Sequence, residues 1–299
     1  MVPGNIYYQP FFLNTSMKIY EILSAPVIEA RMTLFPDLSP LTAADAKQAY
    51  NLAVKLLPPG VTPYQTGSTH AMMSGKSSVS SAGDMDIMID IENLGKALGV
   101  QETDPKKHAT AIKQAFDKWV KSAAAKQGIP DIETRLSGIN LHTALPIGDK
   151  RFQVDFELVN DPENVHVFHR HEYRDNPYKG MHKQRLLASI ARTTKSEEYP
   201  LGLAWSAFEG LKNRVEDPKK PGQTKTADLI TNNADKVAKI LLGSSASAKD
   251  LVNVPAILHA LAKNNSQQDY ETKIADARKE FESDTKFPPL PTYQDALKG

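Results

Sequence analysis

The chain has 299 residues, with 36 Lys and Arg against 35 Asp and Glu, a formal net charge of +1 and no cysteine. The missing cysteine excludes disulfides, thiolate metal sites and cysteine nucleophiles, and the balanced charge excludes a surface that attracts nucleic acid as a whole. No apolar run approaches the ~18 residues of a membrane span. The first sixteen residues carry no basic segment and are interrupted by Gln9 and Pro10, so no signal peptide is expected. We expect a folded, soluble, cytoplasmic protein without a membrane partner, and Met17 is a possible alternative start.

The first predicted helix covers residues 41–57, because Thr42 can cap it, Asp45 completes a short capping box and Pro58 ends it. A short strand over residues 61–66 follows. A second strand over residues 85–91 alternates apolar residues with aspartates. These elements predict a first half in which helices and strands are mixed.

Residues 104–127 predict an amphipathic helix that Gly128 ends, with apolar residues on one side. Residues 139–147 and 151–159 read as two strands joined by Gly148, Asp149 and Lys150, a hairpin by length and turn chemistry. After about residue 178 the pattern is helical in five segments, namely 181–194, 201–213, 226–242, 248–263 and 269–283. The sequence therefore predicts an α+β fold, with a domain over residues 1–178 and an all-helical domain over residues 179–299. Its proline-rich end, residues 287–291, is an extended strap or tail.

Two carboxylates in the second strand are the most informative feature of the chain. Asp84 and Asp86 are two residues apart, so on a strand both side chains leave the same face. Two like charges about 6 to 7 Å apart repel each other, and a divalent cation is the usual group that offsets them. The alternative is that this face of the strand is exposed to solvent and that both carboxylates are solvated.

Two flanking segments favour the metal interpretation. Upstream, Gly67 and Ser68 follow a strand and can open a helix whose amides and hydroxyl face a phosphate. Downstream, residues 152–158 form an alternating strand in which Asp155 offers a third carboxylate. The three parts occur in order along the chain.

This order resembles the DNA polymerase beta superfamily of nucleotidyltransferases, whose motif is a Gly-Ser turn, an Asp-x-Asp strand and a lone Asp on a neighbouring strand. The correspondence lies on Gly67, Ser68, Asp84, Asp86 and Asp155 and covers roughly residues 60–160. The 15 residues between Ser68 and Asp84 exceed those of minimal members. In that respect the chain is nearer to the cyclic GMP-AMP synthase and Mab-21-like branch, although loop length alone assigns no branch.

The resemblance implies a mixed sheet flanked by helices and a metal-dependent nucleotidyltransferase. Asp84, Asp86 and Asp155 would be the catalytic residues and would hold two Mg²⁺ ions, with Mn²⁺ as a substitute. Ser68 and the amides after Gly67 would grip the β and γ phosphates of a nucleoside triphosphate such as ATP. A nucleoside monophosphate would pass to an acceptor hydroxyl and pyrophosphate would leave.

Residues 74–77, Ser-Gly-Lys-Ser, look like the end of a phosphate-binding P-loop. The first glycine of such a loop would fall at residue 70, where the chain has His70, and a Ser-rich segment replaces the required helix. A true P-loop is therefore not expected. Lys76 either reaches the triphosphate from its loop, as a nucleotide-binding residue, or is a solvated loop lysine.

Residues 166–195 carry seven Lys and Arg against two acids and four histidines. Such a segment is a candidate for a polyanion-facing surface, and Phe168, Tyr173 and Tyr178 could stack on bases. For this reason RNA or a second nucleotide is the favoured acceptor. The alternatives are a solvated surface and, from the histidines, a zinc site.

Two rival functions belong to other classes. A non-catalytic nucleic-acid or protein-binding module on the same fold predicts that the aspartates bind no metal, which the presence of all three carboxylates disfavours. A P-loop hydrolase predicts release of orthophosphate rather than pyrophosphate.

Overall fold

The computed structural model describes residues 34–75, 80–170, 176–283 and 288–298, with the backbone alone at 105 and 106. The first sixteen residues, for which no signal peptide was expected, lie outside these ranges. The same is true of Met17, Lys76 and Tyr173. Among the described helices, none combines the length and the apolar character needed to cross a bilayer.

The predicted elements of the first half are present, with boundaries that differ by a few residues. In chain order they are β1 Leu41–Thr42, α1 Ala43–Lys55, β2 Pro63–Thr66, α2 Gly67–Met73, β3 Ser81–Ala82, β4 Asp84–Asp90, α3 Ile91–Ala97, α4 Pro105–Lys126, β5 Glu133–Ser137, β6 Asn140–Ile147, β7 Lys150–Val159 and α5 Pro162–His169.

The start of α1 follows from the predicted capping box. The Thr42 hydroxyl accepts a hydrogen bond from the Asp45 amide at 3.3 Å, and the Asp45 carboxylate accepts one from the Thr42 amide at 3.2 Å. The box satisfies amides that the first turn of a helix leaves without intrahelical partners.

Five strands form one mixed sheet in the order β2-β4-β7-β6-β5. Strands β4 and β7 are parallel, and the other neighbouring pairs are antiparallel. The β6-β7 hairpin closes through a two-residue turn, because Ile147 pairs with Lys150. The two aspartate-bearing strands are therefore direct neighbours at the centre of the sheet.

The two faces of this sheet differ in chemistry. One face is apolar and packs against α1 and α4, as shown by the edge-to-face contact of Phe116 with Phe156 at 5.4 Å between ring centroids. The opposite face, here called the polar face, carries Asp84, Asp86 and Asp155. Since every second residue of a strand points to one side, the helices on the apolar face fix which residues the polar face presents.

The second half is not all helical, and this prediction was wrong. It contains α6 Gly180–Thr193, strands β8 Leu203–Ser206, β9 Gly210–Glu216 and β10 Thr224–Thr231, and then α7 Ala234–Leu242, a 3-10 turn Ala248–Leu251, α8 Val254–Asn264, α9 Gln267–Glu282 and α10 Tyr293–Lys298. The strands form a separate antiparallel sheet in the order β10-β9-β8. Helices α6, α8 and α9 match predicted segments, whereas residues 201–213 and the start of 226–242 form strands.

Two glycines explain why residues 201–213 are not helical. Gly202 and Gly210 have φ values of +74° and +90°, which other residues rarely adopt. A Cβ atom at Gly202 would lie 2.1 Å from the Arg192 carbonyl oxygen, and one at Gly210 would lie 2.3 Å from that of Thr231. The apolar residues between them are too few to distinguish a strand from a helix by periodicity.

A second hydrophobic cluster joins the helices of the second half to the end of the polar face. It contains Met88 of β4 and Val159 of β7 together with residues of α5 to α10 and of the three-stranded sheet. The proline-rich end packs onto this cluster as a strap, since the Tyr178 and Tyr270 hydroxyls donate to the Pro289 and Pro291 carbonyls at 3.1 and 3.0 Å. The described residues from Phe35 onward form one compact unit, and the predicted boundary at residue 178 stays a prediction.

Lys183 of α6 is fully buried and donates to the Arg170 carbonyl oxygen. Burial lowers its pKa from 10.5 to about 7, because a charged ammonium is costly away from water. Between pH 7 and pH 10.5, the Lys183 side chain is protonated in the unfolded chain but neutral in the folded chain. The free energy of unfolding therefore rises with pH there.

We expect Lys183→Met to remove this pH dependence. The stability of the variant relative to the wild type should be greatest at low pH and should fall as the pH rises from about 7 to 10.5. Guanidinium unfolding at a series of pH values measures the difference. Lys236→Met, at an exposed position of α7, is the control, and parallel pH profiles for all three proteins would contradict the prediction.

Candidate functional site

The parallel register of β4 and β7 brings the three predicted aspartates together. Asp86 pairs directly with Asp155 across the two strands, and Asp84 precedes Asp86 by two residues on the same face. Each of the three offers one carboxylate oxygen, and these oxygens lie within 4.8 Å of one another. The predicted clustering of these carboxylates is confirmed.

Gly67 lies against this cluster at the end of β2. Its φ is +68°, and a Cβ atom at this position would lie 2.2 Å from Asp86 Oδ2. Only a glycine therefore fits beside the Asp86 carboxylate in its present position. Ser68 is the next residue of α2, and the place of Lys76 relative to the site stays untested because it lies outside the described residues.

Two neighbours hold Asp155 in place. The Gln153 side-chain amide donates to both carboxylate oxygens of Asp155 at 3.0 and 3.1 Å. On β6, His142 lies opposite Asp155, with its Nδ1 2.8 Å from Asp155 Oδ1, although the contact is not a regular hydrogen bond. Such neighbours orient carboxylates that bind metals, and the sequence analysis did not identify either of them.

A fourth acid, Glu157, was also missed. It lies two residues after Asp155 on the same face of β7 and is only 7% exposed. Its Oε2 atom has no hydrogen-bond partner among the described residues. The alternating pattern of residues 152–158 could have identified Glu157, because a residue two positions after Asp155 on a strand lies on the same face.

The close approach of these acids shifts their pKa values upward. Burial is the largest cause of the raised pKa of Asp84, followed by the charge of Asp155. Burial also raises the pKa of Asp86 well above its usual range, with the charges of Glu157, Asp84 and Asp155 adding to it. Burial, followed by the charges of Asp155 and Asp84, raises the pKa of Glu157 to about 8. The four acids repel one another, and this repulsion opposes folding unless positive charge offsets it.

The donor set fits a divalent cation of the Mg²⁺ or Mn²⁺ class. All the ligand atoms are carboxylate oxygens, which hard cations prefer over nitrogen or sulfur. The unpartnered Glu157 Oε2 and the clustered oxygens of the three aspartates supply negative charge, and no lysine or arginine among the described residues forms an ion pair with them. The site can therefore bind a metal ion, and its geometry does not specify which one.

We expect Mg²⁺ or Mn²⁺ to raise the melting temperature of the wild-type protein above its value in EDTA. A cation that binds the folded state alone at a hundredfold excess over its Kd stabilises it by about 2.7 kcal/mol. In EDTA, Asp84→Asn should melt above the wild type because one repelling charge is removed, and cations should then stabilise it less. Differential scanning fluorimetry measures both effects, and identical curves with and without cation would refute the expectation.

The described part of the basic segment is partly paired or buried, while Arg170, Lys179 and Lys195 are exposed, so a polyanion-facing surface stays a prediction. Arg185 and Arg192 of α6 pair with Glu280 and Asp276 of α9 at 3.9 and 3.1 Å. The aromatic residues Phe168 and Tyr178 are buried, so they cannot stack on bases as the sequence predicted.

The histidines of this segment do not form a zinc site either, as far as the described residues show. His169 lies against Phe208 and contacts the Ala207 carbonyl oxygen through Nε2 at 3.0 Å. Burial lowers its pKa to about 3, so it is neutral. Among the described residues, the group of side chains that can hold a metal consists of Asp84, Asp86 and Asp155.

A shallow hollow continues the polar face toward the edge strand β5. It is lined by Glu133, Ala144, Pro146, Arg151 and the end of the α4-β5 connection. Ala144 pairs with Gln153, which in turn pairs with Asp84. The hollow is therefore about 10 Å, or two strand spacings, from the carboxylates.

A scan of the chain against models of protein families finds no match, and a search of curated proteins finds none. Interpretation of the site therefore depends on its own residues and on the sequence pattern.

Proposed function

We propose that the protein is a metal-dependent nucleotidyltransferase that moves a nucleoside monophosphate from a nucleoside triphosphate to an acceptor hydroxyl. The observation that carries the proposal is the pairing of Asp86 with Asp155 on parallel strands, with Asp84 on the same face. The Gly67 turn directly against Asp86 supports it further. These features support the proposal because they bring the residues of the sequence motif together on one face of the sheet.

In the proposed reaction the chain supplies the metal ligands and the position of the nucleotide. Asp84 and Asp86 would hold both cations, and Asp155, oriented by Gln153 and His142, would hold the cation on the acceptor side. Two bound divalent ions offset the negative charge that develops on the attacking and leaving oxygens of phosphoryl transfer. The missing side chain at Gly67 lets the Asp86 carboxylate lie directly against the backbone of this turn, where Ser68 and the following amides would grip the phosphates.

The acceptor is proposed to be an RNA 3′ end or a second nucleotide. Support from the basic segment is weaker than the sequence indicated, because Arg185 and Arg192 are paired and Lys183 is buried, whereas Arg170, Lys179 and Lys195 are exposed. The hollow over Ala144 and Arg151 provides another place for an acceptor on the polar face. Arg151 pairs there with Glu133, and an incoming phosphate could compete for this guanidinium.

The test is incubation of the purified protein with each labelled nucleoside triphosphate, with Mg²⁺ or Mn²⁺, and with or without RNA. Release of pyrophosphate with transfer of label to RNA or to a nucleotide supports the proposal. Orthophosphate release would identify a hydrolase instead. Cation binding without any turnover of any nucleotide would favour the non-catalytic binding module.

A further inference from the structure

Glu157 is the one acid of the polar face for which neither the motif nor a described contact gives a role. Its neighbours across the sheet are Met88 on β4 and Asn140 on β6. The adjacent Asp155 is oriented by Gln153, whereas no described side chain donates to Glu157 Oε2. A carboxylate that is 93% buried with an unsatisfied oxygen is costly unless something binds it.

The residue paired with Glu157 on β6 shows the same deficit, because the Oδ1 atom of Asn140 is also buried without a partner among the described residues. Glu157 shares the polar face with Asp86 and Asp155 on neighbouring strands. Buried oxygen atoms in this arrangement are satisfied by a cation or by a donor on a ligand.

A structural role for Glu157 is disfavoured by the same contacts. A glutamate that stabilised the sheet would pair with a cation or accept hydrogen bonds from amides, as Glu133 pairs with Arg151 at the edge of the same face. Glu157 instead adds a negative charge beside three others. Replacing it with a neutral residue of equal size should stabilise the fold when no metal is bound.

We propose that Glu157 is a fourth carboxylate ligand of the metal centre, which would then hold its divalent cations with Asp84, Asp86, Asp155 and Glu157. Two divalent cations carry a charge of +4, which balances four carboxylates. Glu157 lies two residue pairs further along the strands than the Asp86-Asp155 pair and on the same face, so it extends the ligand set along β7. The inference rests on the metal centre of the proposed function and adds a ligand to it.

The experiment is titration of the full chain with Mn²⁺, followed by electron paramagnetic resonance of the free ion, for the wild type and for Glu157→Gln. We expect the variant to lose one bound ion or to bind Mn²⁺ roughly 10- to 100-fold more weakly. Its melting temperature in EDTA should equal or exceed that of the wild type. Circular dichroism establishes that it is folded.

The matched control is Glu133→Gln, the same substitution on the same face of the sheet but in an ion pair with Arg151. This control should bind Mn²⁺ as the wild type does. Glu157→Asp, which keeps the charge but shortens the side chain, should fall between Glu157→Gln and the wild type. Equal Mn²⁺ affinity and stoichiometry in the wild type and Glu157→Gln would overturn the inference.

The failures of the two proposals are distinguishable. If Asp86→Asn weakens Mn²⁺ binding but Glu157→Gln does not, the metal centre stands and the role of Glu157 is refuted. If Glu157→Gln weakens Mn²⁺ binding but the wild type transfers no nucleotide, the ligand assignment stands and the transferase function is refuted. A wild type that binds no Mn²⁺ would refute both.

Discussion

Asp155→Asn should abolish nucleotidyl transfer while leaving nucleoside triphosphate binding largely intact. Asn retains the size of the side chain and one oxygen, but it removes the charge that the cation on the acceptor side requires. We expect a loss of roughly 10³-fold or more, the scale seen when one charge-stabilising group of a preorganised site is removed. Label transfer in single-turnover assays measures the rate, and fluorescence titration with a nucleotide analogue measures binding.

The control for Asp155→Asn is Asp228→Asn on the exposed strand β10, which should keep full activity. Asp155 also interacts with Gln153 and His142, so the thermal stability of both variants must be compared. A folded Asp155→Asn protein with near-normal transfer would show that the metal assignment is wrong. A protein that loses transfer and nucleotide binding equally would place Asp155 in substrate binding instead.

Gly67→Ala is expected to lower metal binding and nucleotidyl transfer strongly. Its free energy of unfolding should fall by little more than is usual when alanine replaces a glycine with positive φ. Its Cβ atom would lie 2.2 Å from Asp86 Oδ2, so the Asp86 carboxylate must rotate away. A carboxylate can rotate without moving the sheet, and the clash therefore displaces a metal ligand rather than the fold. We expect Mn²⁺ affinity and nucleotidyl transfer to fall at least ~10-fold, as when the orientation of a metal ligand is lost.

The matched control is Gly60→Ala. Gly60 also has a positive φ, +83°, but a Cβ atom there would meet nothing within 4 Å. Both substitutions carry the cost of about 1 to 2 kcal/mol for a non-glycine residue in this conformation, measured by chemical unfolding. Activity should be lost in the first variant and kept in the second, and an active Gly67→Ala protein would contradict the placement of Asp86 at the reaction centre.

Local patterns predicted much of the first half of the chain. The capping box of Thr42 and Asp45, the alternation in residues 85–91 and the turn at Gly148 each depend on residues within a few positions of one another. Such signals are readable from sequence because the interactions that produce them are local. All three elements are present in the structure.

The same method failed for residues 201–213 and for part of the basic segment, where Phe168 and Tyr178 are buried and two arginines are paired. Strands β8, β9 and β10 are four, seven and eight residues long. The shortest, β8, spans little more than one period of a helix, so its apolar pattern does not distinguish a strand from a helix. The basic segment was read as a surface because its charges lie close in sequence. Its partners Glu280 and Asp276 lie almost a hundred residues later, and only packing of α6 against α9 brings them together.

The sequence by itself determined which residues form the candidate site: Asp84 and Asp86 at a spacing of two, Asp155 on a second alternating strand, and a Gly-Ser turn before them. Only the tertiary structure decided that β4 and β7 pair in parallel with Asp86 opposite Asp155, which also places Glu157 and His142 at the site. Pairing between distant strands depends on how the whole sheet buries its apolar face, and a shift of one residue would turn every carboxylate of a strand into the core.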